Sequence, residues 1–112
     1  MTIKAAPITL TTLAATTDVT VTSTSSSENK EVYSLIIHDN GGAGGQVVDL
    51  YISDDAVSAA AERVERITLA AAESKAFKPV ALAKSKFLVI QSSAASVGFH
   101  GAYILRDGSD AS

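Results

Sequence analysis

Apolar and polar residues alternate with a period of two along most of the chain, which is the pattern of half-buried β-strands. The segment 46–53 is the clearest case, because Val48, Leu50 and Ile52 share one face. The segments with a strand pattern are 17–24, 31–39, 46–53, 64–69, 77–82, 87–92 and 97–105. Turn-forming residues separate them, so the sequence predicts about seven or eight short strands.

The glycine-rich segment 40–45, Asn-Gly-Gly-Ala-Gly-Gly, joins two of these strand patterns. Glycine adopts positive φ at little cost, which suits a tight connection between strands. We therefore expect 31–39 and 46–53 to form an antiparallel hairpin. A phosphate-binding loop is the alternative, but the segment lacks the Gly-Lys-Ser/Thr ending that such a loop requires.

The segment 54–66 has no clear period. Asp54 and Asp55 fit the start of a helix of one or two turns that continues through alanines, because acids favour the first turn and alanine the interior. The alternative is an irregular excursion between strands, since so short a helix is marginal by itself. Further along, Pro79 indicates an edge strand or a bend, and the nearly continuous apolar segment 87–92 indicates a central strand.

Together these elements predict an all-β fold, an antiparallel β-sandwich of jelly-roll-like type with at most one short helix near 54–63. The expected organisation is an extended N-terminal arm over 1–16, a β-sandwich domain over 17–106 and a flexible tail over 107–112. The expected core consists of the apolar residues on the alternating faces: Val19, Val21, Leu35, Ile37, Val48, Leu50, Ile52, Ile67, Leu69, Leu88, Ile90, Phe99 and Tyr103.

The composition excludes several classes of protein. The chain has 112 residues, of which 46% are hydrophobic and 19% charged, and its formal net charge is −3 at pH 7. It contains no cysteine, so disulfides and zinc–thiolate sites are excluded. Without a basic patch or an apolar stretch of about 20 residues, we expect neither nucleic-acid binding nor a membrane-spanning helix. Threonines interrupt the N-terminal apolar residues, so we expect no targeting peptide and synthesis in the cytoplasm.

Residues suited to catalysis are scarce, since the chain has two histidines. His38 and Asp39 end a strand pattern beside the glycine-rich segment, where binding groups often lie. With Asp49 they form a candidate metal or acid–base group, and the alternative is a solvated strand end. We expect His100 to lie on a sheet face or at an interface. Because no nucleophile, base and orienting group can be named together, we predict a non-enzyme and assign no catalytic, metal-binding or cofactor-binding residue.

Three further patterns each have two interpretations. Asp54 and Asp55 fit a helix cap or a solvated turn, and the acid spacing of a calcium loop is missing. The alternating charges of 62–66 fit a strand edge protected by charge, or a salt-bridge patch between subunits. Tyr33 and Tyr51, on neighbouring predicted strands, fit a cross-strand packing pair or a platform for a sugar.

Small and hydroxylated side chains are the strongest positive signal. Fourteen serines and ten threonines occur among the 112 residues, and alanine is the commonest residue. Such side chains allow flat, closely packed surfaces. Both faces of 31–39 and of 87–92 carry apolar groups, and isolated monomers seldom expose large apolar patches. We therefore expect a homo-oligomer, with a trimer favoured, or docking onto a larger assembly.

Three segments carry a resemblance to known proteins: 48–54, Val-Asp-Leu-Tyr-Ile-Ser-Asp, then 67–74, Ile-Thr-Leu-Ala-Ala-Ala-Glu-Ser, and finally 87–97, which begins Phe-Leu-Val-Ile-Gln-Ser. They resemble segments of small virion proteins of tailed bacteriophages, of the capsid-decoration (cement) or virion-associated β-sandwich kind. The resemblance implies a structural protein of the virion that binds the major capsid protein, or other virion proteins, and stabilises the capsid shell. In that setting the arm 1–16 would add a strand to a neighbouring subunit.

Two alternative functions remain open. The first is a component of a phage tail, baseplate or head–tail connector. The second is a carbohydrate- or metal-binding β-sandwich module, with its site near His38, Asp39 and Asp49. A compact monomer in solution would favour the binding module, whereas a stable ring of subunits would favour an assembly role.

Overall fold

Two antiparallel β-sheets pack face to face in the computed structural model, which describes residues 2–107. The strands are β1 (Thr2–Leu13), β2 (Val19–Ser23), β3 (Glu28–Asp39), β4 (Val47–Ser53), β5 (Arg63–Thr68), β6 (Ser74–Ala76), β7 (Val80–Leu82), β8 (Phe87–Ser92) and β9 (Val97–Asp107), with one 3-10 turn at Ala60–Glu62. The predicted all-β sandwich is confirmed. These residues contain nine strands, more than expected, because residues 2–13 form one strand and the segment 74–82 forms two.

The first sheet, sheet A, contains β1, β9 and β3 in that order, with β6 and β7 pairing one after the other along the far side of β3. The second, sheet B, contains β2, β8, β4 and β5 in that order. The apolar segment 87–92 is therefore an interior strand, and Pro79 lies at a sheet edge between β6 and β7, as predicted. No helix within residues 2–107 is long and apolar enough to span a bilayer.

The expected hairpin between 31–39 and 46–53 is wrong, because β3 lies in sheet A and β4 lies in sheet B. The connection 40–46 crosses from one sheet to the other at one end of the sandwich. β3 pairs instead with β9, while β4 lies between β8 and β5. The alternating pattern of a strand is compatible with any antiparallel neighbour. A glycine-rich loop can therefore connect two strands of one sheet or two strands of different sheets, and the sequence does not distinguish the two cases.

Residues 2–13, expected to belong to an arm, are an integral strand of sheet A. β1 pairs with β9 along its length, with Thr2 opposite Asp107. Ile8 and Leu13 of this strand are buried in the core, because their side chains point from sheet A towards sheet B. The sandwich therefore begins at β1. The expected flexible tail starts at Asp107, which ends β9, and the residues after it lie outside the described part of the chain.

The core fills the space between the sheets, and every predicted core residue contributes to it. Most are buried, and a smaller group is partly buried and packs against the rest: Val19, Val21, Ile52, Ile67 and Tyr103. Six further buried core residues were not among those predicted. Three lie on the edge strands β1 and β7, and the others lie on β3, just after β6 and at the start of β9: Ile8, Leu13, Leu82, Val32, Phe77 and Val97.

A bulge in β3 determines which of its faces is buried. The pairing with β9 shifts between Val32 and Ser34, so Val32 and Leu35 both face the core while Tyr33 is 46% exposed. Gly101 lies opposite this bulge, where a Cβ atom would come within 1.9 Å of the Ser34 carbonyl oxygen. This close approach of two backbones explains a glycine in the middle of a central strand.

The segment 54–62 leaves the end of β4 and crosses the outer face of sheet B. The backbone N–H of Ser58 donates to Asp18 Oδ2 at 2.9 Å, just before β2, and the chain then returns to β5 at the opposite edge. Tyr51 and Val89 point away from the core, yet they are only 7% and 0% exposed. The irregular excursion is thus the alternative observed, and it covers this face with the chain's own residues.

Candidate functional site

The three residues of the predicted metal or acid–base group lie apart. His38 and Asp39 are successive in β3, so their side chains point to opposite faces of sheet A. Asp39 is 1% exposed and points inward, whereas the His38 ring forms a hydrogen bond with Ser74 Oγ of β6. Asp49 lies in the other sheet. Within residues 2–107, no group of three histidine or carboxylate side chains is placed to hold a metal ion.

Asp39 organises the loops at the end of the sandwich where β3 finishes. Five N–H donors surround its two carboxylate oxygens at distances of 2.6–3.1 Å. The donors are the backbone N–H groups of Gly41, Gly42, Gly44 and Ala72 and the side-chain amide of Gln46. The carboxylate therefore fastens the connection between the sheets to the turn that follows β5.

The same donors fix the charge of Asp39. Burial alone would raise the pKa of this carboxyl, but the hydrogen bonds from Gly44, Ala72 and Gln46 hold the pKa below its ordinary value. A carboxylate has about four lone-pair sites, and five donors already occupy them, so no oxygen is free to coordinate a cation. Asp39 is accordingly a structural anion held by backbone dipoles rather than a metal ligand.

Asp49 is held in an ion pair on the outer side of sheet B. Arg66 of β5 donates from Nε to Oδ1 at 2.7 Å and from Nη2 to Oδ2 at 2.9 Å. The Tyr51 hydroxyl donates to Oδ2 at 3.3 Å. These hydrogen bonds, chiefly those of Arg66, hold the pKa of Asp49 below its ordinary value although burial opposes them. β5 is an edge strand, so the charged segment 62–66 lies along a sheet edge, and its Arg66 is paired within the chain.

The remaining sequence candidates also lie apart. Tyr33 and Tyr51 do not form the expected pair, because Tyr33 is exposed on sheet A and Tyr51 is buried under the excursion on sheet B. Asp55 accepts a hydrogen bond from Ser53 Oγ at 2.7 Å and shapes a turn, so it does not cap a helix. His100 is exposed on the outer face of sheet A, as expected for a sheet-face histidine.

A cleft of about 250 Å3 opens between the edge strands β1 and β2, lined by threonine hydroxyls with Phe99 and Tyr103. Lys30 lies beside it, where Nζ donates to Thr22 Oγ1 at 2.8 Å and to the Ser23 carbonyl at 2.6 Å. The ammonium also lies 4.5 Å from the centre of the Tyr103 ring. Burial lowers the pKa of Lys30. The cleft therefore presents hydroxyl groups and apolar surface between β1 and β2.

β1 is a twelve-residue edge strand with a single charged residue, Lys4. Pro7 has no N–H, and a proline within a sheet is placed so that its nitrogen points away from the neighbouring strand. Because backbone direction alternates along a strand, the N–H and C=O groups of Ile3 and Ala5 also point away from β9, towards solvent. A bulge after Ile8 ends this regular stretch. The first half of β1 is thus an edge able to accept another strand.

The outer face of sheet A, here called the open face, is built by small and apolar side chains. Its central residues are Ala5 and Pro7 on β1, Ala102 and Ile104 on β9, and Ser34 and Ile36 on β3. All six are partly or fully exposed. The sequence does not predict this face, because Ala6 and Ile8 on the inner side of β1 are as apolar as Ala5 and Pro7 on the outer side, so the two faces of the strand cannot be told apart.

Comparisons with known proteins concern the fold. No protein-family model matches the chain, and no curated protein matches it. The fold is similar to that of a chain whose solved structure is described as "Bacillus endospore appendages form a novel family of disulfide-linked pili". The TM-score is 0.59, the sequences are 21% identical, and the similarity covers 96% of this chain and 90% of that one. The resemblance to phage decoration proteins stays a prediction.

Proposed function

We propose that this chain is a non-enzymatic structural subunit that assembles with further copies of itself, with β1 as the joining strand. The observation that carries the proposal is the free edge of β1, where the backbone groups of Ile3 and Ala5 face solvent in a stretch with one charged residue. A strand from a second copy would satisfy these groups and extend sheet A. Natural monomers usually protect such an edge with charge, a bulge or proline, and on β1 Pro7 and the bulge after Ile8 limit the open stretch to the residues before them.

The other edges differ from β1 in ways that support this choice. β5 carries alternating charges along the edge of sheet B, and β6 and β7 are three residues each, separated at Pro79. β2 has five residues. The first half of β1 therefore offers the longest regular edge with few charges, and a filament or lattice built from this chain would grow there.

The similarity to a pilus subunit supports a filament as the form of the assembly. The similar chain belongs to pili described as disulfide-linked, whereas this chain contains no cysteine. Subunits of this protein would be held by backbone hydrogen bonds and apolar contact alone. Such an assembly would resist reducing agents and would depend on concentration.

Decoration of a phage capsid is the second candidate function. The three segments that resemble virion proteins coincide with β4, with β5 and the turn after it, and with β8 and the start of β9. Under this proposal the partner is the major capsid protein or another virion protein, the location is the virion, and the trimer expected from the composition is the bound form. A tail, baseplate or connector position is the variant of this proposal in which the partner lies elsewhere in the virion.

The substitution Ala5→Pro tests the edge directly, because it removes an N–H that points to solvent and leaves the pairing with β9 in place. Ala5→Val is the matched control, since valine favours strands and keeps the N–H. We expect the wild type and Ala5→Val to form multi-subunit particles in electron micrographs and in sedimentation at concentrations up to about 1 mM, where even weak contacts are populated. Ala5→Pro should stop this growth.

A wild-type chain that remains monomeric over this range, or growth that Ala5→Pro leaves unchanged, would contradict assembly through β1. Thermal unfolding of both variants shows whether the fold is intact. Cosedimentation with purified capsids of tailed phages separates the two candidates: a chain that binds capsids but forms no particles alone supports decoration.

A further inference from the structure

The two sheets differ in what lies on their outer faces, and the difference points to a second contact between copies. On sheet B, Tyr51 and Val89 point outward and are buried by the segment 54–62. On sheet A, the central outward residues of the open face are all partly or fully exposed. The inference deepens the proposed function, since it names a further surface for the same self-assembly.

The central row of the open face consists of short side chains, and the large side chains Tyr33 and His100 lie beside it. Pro7 lies opposite Ala102, and Ala102 lies opposite Ser34, so one row across three strands contains no side chain longer than proline. Ala5 and Ile104 form the next row towards the chain termini. Small side chains let two sheets approach to about 10 Å, the spacing of stacked sheets.

The charges on this face are already matched. Glu31 and Arg106 form an ion pair at 3.7 Å near one end of it. Its centre, around Ala102, consists of apolar and hydroxyl groups, and burying these against the same surface of another copy leaves no charge unpaired. A two-fold axis would bring each open face onto its own equivalent, which is the commonest arrangement of homodimers.

The area of the open face is sufficient for such a contact. The five strands of sheet A contain 41 residues, with β6 and β7 sharing the fourth strand position. A rise of about 3.3 Å and a spacing of about 4.8 Å then give roughly 650 Å2. Two such faces would bury roughly 1,300 Å2 in total, which lies within the range of specific protein–protein interfaces.

From these observations we infer that the open face binds the open face of a second copy of this chain, stacking sheet A on sheet A. The contact is apolar at its centre around Ala102 and polar at its ends. It is independent of the β1 edge, because stacking uses side chains whereas edge pairing uses backbone groups. Together the two contacts would give an assembly that edge pairing extends along one direction and that stacking makes two subunits thick in another.

The experiment uses the full chain carrying Ala5→Pro, which blocks the edge. The new side chain lies on the open face, but it is no larger than that of the neighbouring Pro7, so stacking remains as the other contact. We expect this variant to sediment as a dimer. Adding Ala102→Glu should weaken dimerisation by about 30-fold or more, because a carboxylate at the centre would be buried without a partner. Ala60→Glu is the matched control, since Ala60 is exposed on the opposite side of the molecule in the 3-10 turn, and it should leave dimerisation unchanged.

Thermal unfolding establishes that the double variant is folded, and Ala102→Lys, with a charge of the opposite sign, repeats the test if it is not. A monomeric Ala5→Pro variant, or a dimer that survives both Ala102 substitutions, would overturn stacking while the edge proposal stands. If Ala5→Pro leaves large assemblies intact and Ala102→Glu reduces them to monomers, stacking is supported and the edge proposal fails.

Discussion

The outer faces of the two sheets have similar apolar sequence patterns but differ in how much of their surface is exposed. β3 of sheet A and β8 of sheet B both carry apolar residues on both sides. In sheet B the outward Val89 is 0% exposed under the excursion 54–62, whereas in sheet A the outward side chains remain accessible. An apolar outer face is therefore not by itself a sign of a partner, because a distant part of the same chain covers one of the two.

The exposed apolar surface that a monomer leaves uncovered lies on the outer face of sheet A. From the sequence, the apolar residues on both sides of β3 and β8 predict contacts between molecules. The chain itself covers the outer side of β8, so only the outer face of sheet A is left for a partner to cover. Substitutions at the bulge of β3, at the joint between the sheets and on the two outer faces test whether the faces differ in this way.

Gly101→Ala should have the largest effect, with a loss of about 4 kcal/mol or more in the free energy of unfolding. The added Cβ would meet the Ser34 carbonyl oxygen, a backbone atom that cannot move without undoing the bulge that turns Tyr33 onto the open face. Gly42→Ala is the control, since a Cβ there meets no atom within 4 Å and costs only about 1 kcal/mol for its positive φ. Urea titration measures both. Equal losses would show that the bulge is not rigid.

Asp39→Asn should lower the Tm by roughly 10 °C without affecting self-association, because it acts on the joint between the sheets and not on their faces. An amide NH2 would face N–H donors that now bind a carboxylate oxygen. Asp54→Asn, at an exposed carboxylate, is the control and should change the Tm little. A normal Tm for Asp39→Asn would show that the loops hold without the anion.

The pH dependence of stability follows from the same carboxylate. Because the pKa of Asp39 is lower in the folded than in the unfolded chain, the folded state binds fewer protons, and stability falls as the pH drops below about 4. The pKa values of Asp18, Asp49, Asp55 and Glu73 are lowered too, so part of this acid sensitivity persists without Asp39. Thermal unfolding between about pH 2 and 7 should give a shallower decline for Asp39→Asn than for the wild type.

Val89→Ala and Ile3→Ala compare the two outer faces most directly. Val89 is fully buried under the excursion, so its truncation should cost about 2 kcal/mol. Ile3 is 64% exposed on the open face, and its larger truncation should cost about 0.5 kcal/mol or less in the monomer. Urea titration at low concentration measures both. Similar costs would mean that the monomer covers both faces equally.

The sequence predicted the fold class well because alternation reports burial directly. β4, β8 and β9 were placed by their apolar periods, and every predicted core residue lies in or against the core. β1 was missed because threonines and alanines give a weak contrast between faces, and residues 2–13 were assigned to an arm. The partner of β3 could not be predicted, since alternation is satisfied by any antiparallel neighbour and the choice is made by long-range pairing with β9.

The candidate site was less predictable than the fold. The pair His38–Asp39 resembles a binding group, but adjacent strand positions face opposite ways. Asp39 is held by five N–H groups, four from the loop that directly follows it and one from the distant turn after β5. Ala72, in the second of these loops, has a φ of 55°, a conformation that glycine usually occupies in such a turn. The need to donate its N–H to Asp39 accounts for this backbone geometry.

The pairing of β1 with β9 has a mechanical consequence. Thr2 lies opposite Asp107, and the hydrogen bonds between antiparallel strands run perpendicular to the strands. Tension applied at these two residues would therefore break the hydrogen bonds between β1 and β9 one after another, starting from this end. A neighbouring subunit bound along the free edge of β1 would add hydrogen bonds to the strand on its other side. Tensile strength in a fibre of this protein would then come from its neighbours and would be lost when the fibre is taken apart.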